Sequence, residues 1–386
     1  MKISHVHVEN WRNFNSIDFP LADRLFIVGP NASGKSNLLD VLRFMADVSA
    51  IGLSQALARR GGLNRVRSLF ARNRGHGQVT IDLEFKDGQD RWRYLLSLRP
   101  EPTGHHRPLV AREIVEHNGT RLLDRPDHQD EKDGERLTQT YLEQINANQD
   151  FRDIADHFKN IQYFHLVPQV IRDAANRSSP EPNDPYGGDF IAQMNTTPKR
   201  TRDAWLRRIQ NALQAAVPEF ESLTIEVDKA GRPHLKAGYR NWRANPTGQY
   251  ETEFSDGTLR LIGLLWTIVK APRTTAAILL EEPELSLHSS VVSLLPSLFA
   301  RTQRSTDMQI ILSSHAPEII NDEGIDPEEI LVLRVTKEGT TAELLSSITE
   351  VSTDIEDGIL SRAEVVSGLI TPPDVEAMLR VAEEHS

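Results

Sequence analysis

Apolar positions change period several times along the chain, and each change marks an element. KISHVHVENW alternates in part and reads as a strand, while RLFIV is a second, continuously apolar strand running into Gly29. SNLLDVLRFMADVSAIGLSQAL spaces its apolar residues as a helix does, with Leu38, Leu39, Leu42, Phe44 and Met45 expected inward. QVTIDLEFKDGQDRWRYLLSLRP alternates at period two around Lys86-Asp87-Gly88, a hairpin pattern. DRPDHQDEKDGERL is polar and reads as an exposed loop, and YLEQINANQDFRDIADHF reads as a helix. NRSSPEPNDPYGGD is a Pro-rich interruption before FIAQMN and a helix around TRDAWLRRIQNALQAAV; TIEVDKAGRPHLKAGYR is a further hairpin. The last third alternates helix and strand through TLRLIGLLWTIVKA, AAILL, SSVVSLLPSLFARTQ, MQIILSS and EILVLRV, which predicts an α/β fold with a parallel sheet covered by helices.

Between strand RLFIV and its helix lies GPNASGKS (Gly29 to Ser36), which fits G-x-x-x-x-G-K-[ST] at every position. In that context backbone amides and the helix dipole hold phosphate charge, Lys35 reaches the terminal phosphates, and Ser36 offers a hydroxyl to Mg²⁺. Gly29, Asn31, Ala32, Ser33, Gly34, Lys35, Ser36 and Asn37 are therefore candidate nucleotide-binding positions. A P-loop also needs an acid at the end of a neighbouring parallel strand, and ILLEEPELSLH places Glu281, Glu282 and Glu284 just past AAILL. One carboxylate can serve the metal while a second orients or deprotonates the attacking water. Glu284, beyond Pro283, reads as an acid compatible with a helix start.

In this order and spacing the motifs resemble those of ABC-superfamily ATPases of the RecF, SMC and OLD branch, the short-armed bacterial AAA type. The resemblance runs from NWRNF to ILSSH and so covers nearly the whole chain. It implies that FSDGTLRL is a signature segment in which Ser255 and Gly257 cap the γ-phosphate bound by another subunit, and that His315 is the switch histidine. It puts Glu281 at the Mg²⁺-linked position and Glu282 at that of the catalytic glutamate, with an exchange of the two roles as the alternative. Many ABC proteins carry Asp where Glu281 stands, a departure one methylene long. The catalytic set is then Glu282, His315 and Lys35, and Ser286, Leu287 and His288 occupy the subunit-facing D-loop. Gln169, rather than Gln162, takes the Q-loop place and joins Ser36 and Glu281 at the metal; Arg12 and Asn13 lie where such ATPases approach the nucleotide.

The fold so implied is an ABC-type head over residues 1–340: a RecA-like parallel sheet, an antiparallel β lobe and a helical insertion at about 125–220. The activity implied is binding and hydrolysis of ATP with Mg²⁺ by a head-to-tail homodimer. Relatives of this type act in DNA repair or in anti-phage defence, often beside a separate nuclease. Fewer than 80 residues follow His315, and Asp354-Ile355-Glu356-Asp357 lacks the preceding strand of a two-metal nuclease core, so a nuclease effector is expected on another chain.

Composition adjusts this picture at three points. Zero cysteines exclude disulfides and thiolate chemistry. The longest apolar runs fall far short of the ~20 residues that span a bilayer, and MKISHVHVENWRNF has no signal-peptide core, so a soluble cytoplasmic protein without membrane contact is expected. Of the net charge of −11, eight units fall in residues 341–386, where ten acids face Arg362 and Arg380; that segment reads as a docking element for a partner or as a solvated cap. The body is near neutral and carries two basic stretches, RRGGLNRVRSLFARNR and KRTRDAWLRR. The first, with Arg59, Arg60, Arg65, Arg67, Arg72 and Arg74, is the candidate surface for DNA phosphates.

Overall fold

The computed structural model describes residues 1–68, 77–102, 107–174, 183–240, 247–348 and 361–371. Arg72, Arg74, Asp354, Glu356 and Asp357 lie outside the described residues. The chain opens with the antiparallel pair β1 (Lys2–Trp11) and β2 (Phe14–Pro20), then β3 (Arg24–Val28), the P-loop and helix α1 (Lys35–Ile51). β4 (Val79–Asp87), β5 (Asp90–Pro100), β6 (Pro108–His117) and β7 (Thr120–Arg125) follow as successive antiparallel neighbours. Next come α2 (Arg152–Lys159), β8 (Ile161–Phe164), α3 (Pro168–Arg172) and α4 (Lys199–Ala216). β9 (Phe220–Val227), β10 (Pro233–Tyr239) and β11 (Thr247–Tyr250) precede α5 (Asp256–Lys270) and β12 (Ala277–Glu281). The last part holds α6 (Leu295–Thr306), β13 (Gln309–Ser313), β14 (Ile330–Thr336), β15 (Gly339–Leu344) and α7 (Arg362–Ile370).

These strands form three sheets. The antiparallel lobe runs β2-β1-β4-β5-β6-β7, a small sheet runs β11-β10-β9, and the central sheet runs β15-β14-β3-β13-β12-β8. Within the central sheet all neighbours are parallel except β15, which returns antiparallel on β14. Alternation along its strands divides the core in two. Leu25, Ile27, Leu279, Ile311, Leu331 and Leu333 pack toward α1 and the antiparallel lobe, whereas Phe26, Val28, Ile278, Leu280, Ile310 and Leu312 pack toward α5 and α6. Leu38, Leu39, Leu42, Phe44 and Met45 are all buried, as their spacing requires. No helix among the described residues is long and apolar enough to cross a membrane.

Three local expectations are corrected. The helix that begins at the P-loop stops at Ile51: Gly52 adopts φ +87°, and the Glu143 carboxylate accepts the Leu53 N–H at 2.8 Å, starting a short second helix, Leu53–Ala58. YLEQINANQDFRDIADHF is α-helical only from Arg152, because the Glu113 carboxylate captures the N–H groups of Tyr141 and Leu142 and diverts them from a helical ladder. The polar run after Arg125 is no loose loop. Arg125 is fully buried, its guanidinium bonded to Asp130 at 2.8 and 2.9 Å and to Glu113 at 3.0 Å. Two buried carboxylates around one guanidinium satisfy charges that would be prohibitive alone. The segment 125–220 also supplies β8 to the central sheet.

Candidate nucleotide-binding site

In a parallel sheet every strand ends on the same side, and ligands gather at the carboxyl ends. β3 delivers the P-loop there, β12 delivers Glu281 and Glu282, and β13 delivers Ser314 and His315, in the lateral order β3, β13, β12. The P-loop turn uses positive φ at Ala32 (+62°) and Gly34 (+102°). A side chain at Gly34 would stand 2.3 Å from the Asn13 amide, so this position needs both the glycine conformation and its lack of bulk. Asn13 is a brace. Its amide donates to Ser33 O at 2.7 Å and to Thr340 Oγ1 at 2.8 Å, and accepts from Asn37 at 2.7 Å. Arg12 likewise turns to the P-loop helix, donating to Asp40 at 2.6 Å.

The Lys35 ammonium is folded back on the turn and donates to Gly29 O at 3.0 Å and Pro30 O at 3.2 Å. Burial pushes its pKa down against the pull of Glu282, Glu281 and Glu284. Ser33 Oγ is buried without a hydrogen-bond partner, while Asn31, Ala32 and Ser36 are exposed. An orphaned hydroxyl, a cation at hand and a glycine cradle lined by backbone amides suit a polyphosphate. Ser36 Oγ donates directly to Glu281 Oε1. A hydroxyl and a carboxylate oxygen in contact form the hard donor pair that Mg²⁺ takes, so these residues fit the metal as well.

The two adjacent glutamates are held differently. Glu281 Oε2 accepts from the Tyr163 hydroxyl and lies 3.2 Å from His165 Nδ1. Burial would raise this carboxyl, but hydrogen bonds from His165, Ser36 and Tyr163 outweigh it and bring the pKa down to about 2. Glu282 sits at φ +43°, a region that costs a non-glycine residue about 1–3 kcal/mol and needs outside support. Its N–H donates to Ser313 O at 3.1 Å, and its carbonyl accepts from Arg260 of α5 at 3.1 Å. The carboxylate stands 3.3 Å from His315 Nε2, a hydrogen bond that lowers its pKa. Glu284 does not cap a helix. It is buried in the turn after Glu282, accepts from Ser314 Oγ at 2.7 Å and His315 N at 2.9 Å, and has its pKa raised by burial. It thus fixes the segment that carries His315.

Of the segment FSDGTLRL, Arg260 reaches this cluster through the Glu282 carbonyl, whereas its first residues do not. Ser255 caps α5 by accepting the Thr258 N–H at 3.1 Å, and no hydrogen bond or ion pair among the described residues joins Ser255 or Gly257 to the P-loop. Gly257 packs on the D-loop, where an added Cβ would stand 2.4 Å from Ser286 O. Gly257→Ala is expected to lower stability by about 1–3 kcal/mol through overpacking, read as a reduced midpoint in thermal unfolding. Gln169 reaches the signature and not the acids: its amide donates to Asp256 at 3.0 Å, beside Arg172 at 2.6 Å from the same carboxylate. Tyr163 and His165 lie outside every motif, and Arg260 falls within FSDGTLRL at a position to which the motif assigns no role. YFH at the end of β8 carries its signal only once β8 is known to lie beside β12.

Residues 25–321 match the family described as "AAA domain, putative AbiEii toxin, Type IV TA system". The chain belongs to this family. The AAA domain so defined contains the P-loop, the signature, Glu281, Glu282 and His315, while Arg12 and Asn13 precede it and Thr340 follows it. Among solved structures, this AAA domain is similar to an SMC head bound to the C-winged helix domain of ScpA. The two share 15% identity and a TM-score of 0.54, over 92% of this chain and 100% of that one. It is also similar to an SMC head with an extended coiled coil bound to the C-terminal domain of ScpA, derived from Pyrococcus furiosus, at 14% identity and a TM-score of 0.51, over 92% and 99% of the two chains. At these identities the likeness is one of fold. The AAA domain thus has the fold of an SMC head and carries a P-loop within it. No curated protein matches the chain.

Proposed function

We propose that the chain binds and hydrolyses ATP with Mg²⁺ at two composite sites of a head-to-tail homodimer. The observation that carries this reading is the division of parts: Lys35, Ser36, Glu281, Glu282 and His315 gather around the P-loop, while Ser255 and Gly257 make no hydrogen bond or ion pair with the P-loop among the described residues. The N-terminus of α5 is thereby left to meet an anion held by a second copy. Glu281, occupied by three donors, is the metal-side acid; Glu282, whose carboxylate has only His315 among the described residues, is the group that orients water. His315 holds Glu282 until nucleotide is bound, and closure of the dimer is the working stroke. Mg²⁺ would supply charge neutralisation at the phosphates between Ser36 and Glu281.

We infer further that this stroke serves anti-phage defence or another DNA-linked process, with the effector, a nuclease, on a separate chain. The family's description as a toxin of a type IV system supports a two-protein arrangement. Of the first basic stretch, Arg60 is bound to Asp40 and Asp47 at 2.8 Å each and Arg59 pairs with Asp47, which leaves Arg65 exposed and Arg67 half-buried. This internal use favours the second reading, an assembly ATPase that does not touch DNA. Helix α4 speaks for DNA: Lys199, Arg200, Arg207 and Arg208 are exposed and have no ion pair among the described residues. Sedimentation with a non-hydrolysable ATP analogue and Mg²⁺ is expected to yield dimers, and a persistent monomer would sink the composite site. In DNA titrations at varied salt, removing Arg207 and Arg208 should lower the slope by about one per arginine. Binding absent even at low salt would leave the assembly ATPase.

A further inference from the structure

β8 ends the central sheet beside β12, in parallel register with Leu279 opposite Tyr163 and Leu280 opposite Phe164. Glu281 and His165 are the next residues along, His165 lying just past the end of β8 and its Nδ1 3.2 Å from the Glu281 carboxylate. Side chains two apart on a strand share a face, so Tyr163 and the residue just past the strand, His165, both reach the flank of Glu281. They contact the same oxygen, Oε2, and Ser36 contacts the other, Oε1. The carboxylate is thus divided between a β8 side and a P-loop side.

Both donors are fixed from behind. The Arg43 guanidinium of α1 lies 4.5 Å above the Tyr163 ring, so the helix that begins at the P-loop also holds the phenol. Burial, then Glu281, raise the Tyr163 pKa, which keeps the hydroxyl a donor. The His165 ring stands edge-on to Tyr186 with centroids 6.0 Å apart, and its backbone N–H donates to Pro185 O at 2.9 Å. Gln169 is engaged with Asp256, so it supplies nothing here.

We propose that Tyr163 and His165 are positioning residues for the metal: they draw back the glutamate at Oε2 and leave Oε1 as the one oxygen presented beside Ser36. This rests on the ATPase reading of the site. It also explains how a side chain one methylene longer than aspartate serves there: its extra reach is taken up by the β8 donors. Partners of this kind, one shell behind a ligand, typically change metal affinity by about 10–100-fold when removed.

The test uses the full chain and two separate titrations. Affinity for a fluorescent ATP analogue is measured in EDTA, and affinity for Mn²⁺ is measured by electron paramagnetic resonance with a non-hydrolysable ATP analogue bound. Tyr163→Phe and His165→Ala should leave the metal-free nucleotide affinity within about twofold and weaken Mn²⁺ binding by about tenfold or more; His165→Gln, which restores an N–H donor, should recover most of the loss. Unchanged Mn²⁺ affinity in both Tyr163→Phe and His165→Ala overturns the proposal. So does a loss of metal-free nucleotide affinity equal to the loss of Mn²⁺ affinity, since that is what a merely structural role would produce. If the wild-type chain binds nucleotide but no Mn²⁺, the metal reading of Ser36 and Glu281 fails instead, before either variant is considered.

Discussion

Glu282→Gln is expected to cut ATP hydrolysis by about 10²–10⁴-fold, the range for loss of a positioned general base, while nucleotide binding persists. The amide matches the carboxylate in size and can still accept from His315, so the left-handed turn held by Ser313 and Arg260 should survive. What is lost is the anionic acceptor that orients water. Because binding outlasts hydrolysis, the variant should accumulate as an ATP-bound dimer, seen in sedimentation with ATP and Mg²⁺ beside phosphate-release assays. Hydrolysis at the wild-type rate in Glu282→Gln, together with loss of activity in Glu281→Gln, would reverse the two roles.

Lys35→Ala is expected to weaken ATP binding by about 100-fold, since hydrogen bonds to charged groups contribute about 1.5–3 kcal/mol and a factor of ten corresponds to about 1.4 kcal/mol. The ammonium sits among Glu281, Glu282 and Glu284 and bonds to the carbonyls of Gly29 and Pro30. Its removal takes away a phosphate ligand and leaves the acids less compensated, so ATP meets repulsion where it met a cation. Titration of a fluorescent ATP analogue without metal checks this, and affinity within threefold of wild type would refute it. The two variants separate cleanly: one binds without turning over, the other binds about 100-fold more weakly.

Much of the fold was legible because the strands of the central sheet announce themselves. RLFIV, AAILL and MQIILSS are short apolar runs, each followed by chemistry, and all three became adjacent parallel strands. What motifs could not convey was lateral order. Tyr163 and His165 are unremarkable until β8 is seen to neighbour β12, and Gln169 fits a motif position yet bonds to Asp256. Buried charge was equally hidden. A run as polar as DRPDHQDEKDGERL reads as solvated, and it takes the Glu113 carboxylate on another strand, together with Asp130 of the run itself, to make burial of Arg125 tolerable. Glu284 failed for the same reason in reverse, its partners Ser314 and His315 lying on the next strand's exit.

The placement of β3 between β13 and β14 has a consequence for synthesis on the ribosome. β3 ends at Val28, whereas its neighbours begin at Gln309 and Ile330, so both of its edges wait until those later strands are made. At about 5–20 residues per second that interval is roughly 15–60 s, during which a strongly apolar strand has no sheet to join. The brace from Asn13 to Thr340 arrives later still. The phosphate-binding turn is translated well before either strand that flanks β3, so the sheet that carries it is completed only after both have been made.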